Sequence, residues 1–192
     1  MGYLVLPGSV FAPIPVVEAQ TIPSVTQAPA AATIVTTKSA SAPLTVKLTA
    51  YNALPAQTDN NPFTTASGAF SNPEVVAARS VDLASKLPFG TVIEVSRSGA
   101  DTPSCNYKLV ESQIGYRVIA DSMNTRITNT VDILMDETKT VTLGNRQLNP
   151  GIALGLCGNV SVRVVGHIKV SEIPDTQAQL AAMIQPQVLA QR

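Results

Sequence analysis

Tryptophan is absent, histidine occurs once, and charged residues make up only 14% of the 192 positions. Each shortage removes a class of function. Lys plus Arg equals Asp plus Glu at 13 each, so the chain has no basic excess of the kind that holds nucleic acid. It also offers no polybasic patch for an anionic membrane surface. The two cysteines, Cys105 and Cys157, lie 52 residues apart, and with His167 they form no recognisable zinc spacing. GxSxG, HExxH and a glycine-rich phosphate loop are all missing. The Asp59-Asn60-Asn61 triplet is too short to be a calcium loop. The expectation is a protein that uses no metal and no cofactor. The apolar run over residues 3–17 is interrupted by Pro7, Pro13 and Pro15 and is shorter than a bilayer span, so no stable transmembrane helix is expected.

Apolar residues make up 45% of the chain, enough for a core, and the length fits one domain plus tails. Thr, Ser, Val and Ala are abundant, a β-type composition with polar, uncharged surfaces. Residues 1–19 read as a signal peptide or its remnant, with small residues Val17 and Ala19 where a signal peptidase reads, although no Lys or Arg precedes the apolar run. Residues 20–44, rich in Ala, Thr, Ser and Pro, read as an extended linker. Residues 45–170 form the folded domain and 171–192 a tail. For the cysteines two readings stand: a disulfide, if the chain is exported, or two free thiols. A bridge closing so long a loop would stabilise the fold by about 4 kcal/mol in the chain-entropy treatment.

Within the domain, Leu44, Val46 and Leu48 alternate with Thr45, Lys47 and Thr49, which predicts a half-buried strand. Residues 57–70 are dense in Asn, Asp, Pro, Gly and Thr and read as a loop. Pro88-Phe89-Gly90 is a turn leading into a strand over 91–95, and 98–113 reads as an excursion. Residues 143–158 read as a loop with a turn at Asn149-Pro150-Gly151. A last strand carries Val160, Val162 and Val164 on one face. Leu180, Met183, Ile184 and Leu189 suggest a short, poorly anchored C-terminal helix interrupted by Pro186. Short strands at this spacing favour an all-β, closed or nearly closed barrel.

The chemistry gathers in YRVIADSMNTRITNTVDILMD, residues 116–136. Two apolar runs each carry a carboxylate where strands disfavour one, Asp121 and Asp132. Alternation puts Val131, Ile133 and Met135 on one face and Thr130, Asp132 and Leu134 on the other. A carboxyl on rigid backbone beside apolar Leu134 is a setting in which desolvation raises the pKa, as a general acid near neutral pH requires. The plainer alternative is a turn-capping Asp121 and a surface-facing Asp132.

The order LTAYNA, QTDNNPFTTASG, LPFGTVIEV and VIADSMNTRITNTVDILM, with the two aspartates eleven residues apart, resembles the 3D domain, named for three aspartates. That domain occurs in stationary-phase survival proteins and in the membrane-bound lytic transglycosylase A type. The resemblance covers residues 46–168. It implies a six-stranded double-psi β-barrel acting on peptidoglycan glycan strands, outside the cytoplasm. The three family aspartates fall on Asp59, Asp121 and Asp132, and the acid and base role falls on Asp132. Many 3D domains carry a Gly-Gly pair and a Lys between the second and third aspartates. Here that stretch is SMNTRITNTV, with Arg126 as its only cation, closer to a subgroup with a D-R-M-N sequence.

On this reading Asp121 helps keep Asp132 protonated, and Asp59, Tyr51, Thr65 and Arg126 contact substrate, with no partner subunit needed. Phe63 and Ser67 are further candidates for sugar contact. Each has a plainer role: Asp59 in an Asx turn, Tyr51 and Phe63 in the core, the hydroxyls in local turns. His167 reads as structural, since it has no partner motif. A different class is a non-catalytic wall-binding barrel that keeps its aspartates for structure. A third, an endoglucanase, needs a second carboxylate to activate water, and none is identifiable.

Overall fold

The computed structural model describes residues 42–58 and 61–189, with side chains through Ile184. Six strands close into a barrel: β1 (Leu44–Tyr51), β2 (Val76–Arg79), β3 (Thr91–Ser96), β4 (Tyr116–Ser122), β5 (Thr130–Leu134) and, after the hairpin described below, β8 (Cys157–His167). Around the barrel they run β1-β5-β2-β4-β3-β8, and β8 returns to β1. β1 pairs parallel with β5 and β2 parallel with β4, while the other four pairings are antiparallel. Closure leaves no strand edge in the barrel unpaired.

One face of each strand supplies a continuous apolar layer that includes Leu48, Ala77, Ile93, Ile119, Ile133 and Val162. The opposite face is open to solvent at Thr45, Lys47, Ser96 and Arg163, which marks the first layer as the barrel interior. At one end of the barrel the outer face is covered in turn. There Tyr51, Val76, Val118 and Leu134 pack with Leu180 and Ile184 of the C-terminal helix.

Interior Arg117, 1% exposed, makes no salt bridge with the described residues, although the Glu74 charge acts on it. Its guanidinium instead donates to the carbonyls of Pro73, Val76, Gln113, Ile114 and Leu134. Burial pushes its pKa down to about 10, which leaves it charged at neutral pH and tied to three separate chain segments. Gly90, in the turn before β3, has φ +88°, and a side chain there would collide with the carbonyl of Ile168.

Several segments read as loops carry regular structure. The excursion holds α1 (Tyr107–Ile114), whose Tyr107, Val110 and Ile114 join the interior layer. Residues 141–148 form a hairpin, β6 (Val141–Leu143) with β7 (Arg146–Leu148), followed by α2 (Pro150–Leu154). Asn149 caps α2 through its side-chain oxygen, which accepts from the Gly151 N–H, with proline at the first helical position. Cys105 and Cys157, both buried, form a disulfide that joins the excursion to the start of β8.

The C-terminal helix corrects the expectation of a broken, poorly anchored segment. α3 (Gln177–Leu189) continues through Pro186. Leu180 and Ile184 are fully buried, and the Gln177 side chain accepts from the Tyr116 N–H and donates to the Tyr116 carbonyl. Proline removes one backbone donor, but tertiary anchoring of the preceding turns offsets that loss. Among the described residues, no helix is long and apolar enough to cross a membrane.

Candidate active site

β2 lies between β4 and β5, and its Ala78 is the register partner of both candidate aspartates. It faces Asp121 across the parallel pairing and Asp132 across the antiparallel one. Adjacent strands lie about 4.8 Å apart, so the two backbones stand roughly 10 Å from each other with only a methyl group between them.

A β-bulge is what brings Asp121 there. Ala77 pairs with Ile119 but Ala78 pairs with Asp121, so Ala120 is an extra residue in β4. Without it, alternation from Ile119 would turn Asp121 to the barrel interior. The bulge returns it to the outer face beside Asp132.

Asp132 is placed by the turn before β5. Asn129 adopts φ 49°, its N–H donates to the Asp82 carboxylate, and its side chain donates to the Thr45 carbonyl. The Thr130 N–H then donates to the Ser80 hydroxyl. These contacts pin the strand two residues ahead of the carboxylate.

A cleft of about 550 Å³ opens over this pair, and its walls include Tyr51, Gln57, Ala66, Met123, Asn124 and Ile127. The two carboxylates sit in it differently. Asp121 accepts from the Ala66 N–H at 2.9 Å, the Ser122 N–H at 2.8 Å and the Tyr51 hydroxyl at 3.0 Å. Among the described residues, Asp132 accepts only from the Thr49 hydroxyl, at 2.7 Å on Oδ1. From the described residues its Oδ2 receives no hydrogen bond.

Burial is the main cause that raises the Asp132 pKa to about 6. The Thr49 hydrogen bond works against it, and the Asp121 charge adds to it. Tyr51 is pushed well above the ordinary tyrosine range, first by burial and then by the adjacent Asp121 charge, so it stays a neutral hydrogen-bond donor. Asp132 therefore exchanges a proton near neutral pH, while Asp121 is fixed by donors from three residues.

The other candidates are distributed as follows. Tyr51 is 9% exposed, its ring in the outer apolar layer and only its hydroxyl committed, to Asp121. Thr65 is buried and bonds locally to Ser67 and the Ala69 carbonyl, so it supports the loop that presents the Ala66 N–H. Arg126 is exposed and does not line the cleft. Asp59 lies outside the described residues. Phe63 is 65% exposed, away from the core. Thr49, Gln57, Met123 and Ile127 join the site without any mark in the sequence. Thr49 reads there as the solvent face of a strand, and only the parallel register of β1 on β5 sets it opposite Asp132.

No protein-family model matches the chain, and no curated protein matches it.

Proposed function

We propose that the protein is a peptidoglycan lytic transglycosylase of the 3D-domain type, with its six strands in double-psi topology and Asp132 as the acid and then the base. The observation that carries this reading is a mostly buried carboxyl, its pKa raised to about 6, lining an open cleft beside a second, firmly held carboxylate. Protonated Asp132 donates from Oδ2 to the glycosidic oxygen between N-acetylmuramic acid and N-acetylglucosamine, while Thr49 holds Oδ1. The bond from that oxygen to the muramic anomeric carbon breaks with oxocarbenium-like charge development. Ionised Asp132 then takes the proton from the muramic C6 hydroxyl, whose oxygen closes on the anomeric carbon. The 1,6-anhydro product forms without water, and the carboxyl ends protonated as it began. Asp121, at the rim of the same cleft, favours the protonated form of its neighbour and holds the Ala66 loop in place.

The disulfide suits an oxidising, extracytoplasmic location. The reading takes the protein to act as a monomer on peptidoglycan glycan strands. A second reading, a non-catalytic wall-binding barrel, draws on the backbone N–H groups that occupy Asp121 Oδ1. Digestion of purified peptidoglycan by the whole protein, with mass spectrometry of the soluble products, separates the readings. Anhydro-muramic ends are expected. Reducing ends would mean a hydrolase, and no soluble product from folded protein that pellets with the wall would mean a binding module.

A further inference from the structure

A second cleft, of about 630 Å³, lies on the far side of the loop that carries Ala66. Ala66 lines the first cleft and donates its N–H to Asp121. Ser67, the next residue, lines the second and donates its N–H to the Ala120 carbonyl. A single stretch of backbone, tied to β4 at consecutive residues, thus separates the two.

The second cleft has features the first lacks. Phe70 lines it and is 67% exposed. In a chain with 4 Phe and no Trp, an exposed ring in a concavity has an unused apolar face. The opposite wall, Val170 to Asp175, is built rather than loose. The Asn72 side chain donates to the Asp175 carbonyl at 2.9 Å and accepts from the Glu74 N–H at 2.9 Å, so it struts the loop after Phe70 against a segment 103 residues away. Ser67, Ser171 and Asp175 line the same cleft as Phe70, and the Asp175 carboxylate accepts no hydrogen bond from the described residues. An exposed aromatic ring in a cleft that also carries hydroxyl-bearing and carboxylate residues matches a pyranose ring, which presents axial C–H groups on its face and hydroxyls at its edge.

We infer that this cleft is a distal glycan-binding subsite, in which Phe70 stacks on an N-acetylhexosamine ring of the strand whose other rings occupy the Asp121–Asp132 cleft. The choice of glycan rests on the reaction proposed above, and a polymer running over the Ala66–Ser67 divider reaches both clefts. Phe63 is equally exposed but does not line the cleft. In the Thr64–Phe70 bridge it falls on the opposite side of the hairpin, which makes it the control.

The test is an NMR titration of the isotope-labelled whole protein with chitohexaose. The amides of Ser67, Gly68, Phe70, Ser171 and Asp175 are expected to shift together with Ser122 and Asn124 of the first cleft. Phe70→Ala is expected to weaken binding by about three- to tenfold, Phe70→Tyr to retain it and Phe63→Ala to leave it unchanged. Shifts confined to the first cleft, equal affinity of Phe70→Ala and wild type, or no binding would each overturn the inference. The same titration on Asp132→Asn separates the two proposals. If the distal amides still shift while wild type releases nothing from peptidoglycan, the reaction is wrong and the subsite stands.

Discussion

Replacing Asp132 with Asn removes a group that titrates near 3.8 in the unfolded chain and near 6 in the folded one. Because the folded protein holds this proton more tightly, the wild type draws its full stability from Asp132 below about pH 4. It loses that contribution as pH rises through about 6. At about 1.36 kcal/mol for each pH unit between the two values, the loss amounts to about 3 kcal/mol. Asparagine fills almost the same volume, can still accept from Thr49, and does not titrate. The variant should therefore gain on the wild type by about 2.5 kcal/mol between pH 4 and pH 8, whatever their difference at pH 4. Carboxylates that do not interact with Asp132 are common to both proteins and cancel, which leaves Asp132 and its coupling to Asp121. Urea unfolding followed by circular dichroism, with the disulfide intact and ionic strength fixed, gives the two curves. A gap that stays constant within about 0.5 kcal/mol over that range would refute the claim that burial holds this carboxyl protonated.

Two more outcomes follow from the same geometry. Thr49→Val removes the one hydroxyl that favours the ionised form of Asp132, so the alkaline limb of the rate profile should move to higher pH, by roughly 0.5 to 1. A limb that stays in place or moves to lower pH would separate Thr49 from the proton. Cys105→Ser with Cys157→Ser opens a 52-residue loop and should cost about 4 kcal/mol in urea unfolding, with the non-reduced wild type as reference. Equal stability would mean the unfolded chain gains little freedom when the bridge is removed.

Which parts of the barrel can be read from the sequence follows from which forces are local. β1 and β8 show apolar periodicity because one face is buried and the other is partly wet along most of their length, whereas β3 and β5, largely buried on both faces, are legible as short apolar runs that each carry a single carboxylate. β2, Val-Ala-Ala-Arg, is buried on both faces and shows no alternation, so nothing in it marks a strand. The hairpin of β6 and β7 is mostly exposed and carries no apolar pattern to detect. Asp132 and its apolar neighbour Leu134 are legible through strand parity. The position of Asp121 is not, because a one-residue bulge at Ala120 reverses the parity and only the pairing with β2 reveals it. Thr49 escapes for a similar reason, since a parallel register joins residues 83 positions apart. The second cleft depends on Asn72 reaching Asp175, a contact that no local pattern encodes.

The most direct test of the account is the rate at which wild type and Asp132→Asn release soluble fragments from the same peptidoglycan at pH 5.5, with both proteins shown to be folded. A general acid and base contributes on the order of 10²- to 10⁴-fold, so the variant should retain no more than about a hundredth of the wild-type rate, and its anhydro-muramic products should fall with it. A variant within about tenfold of wild type, giving the same products, would contradict the assignment of the proton to Asp132.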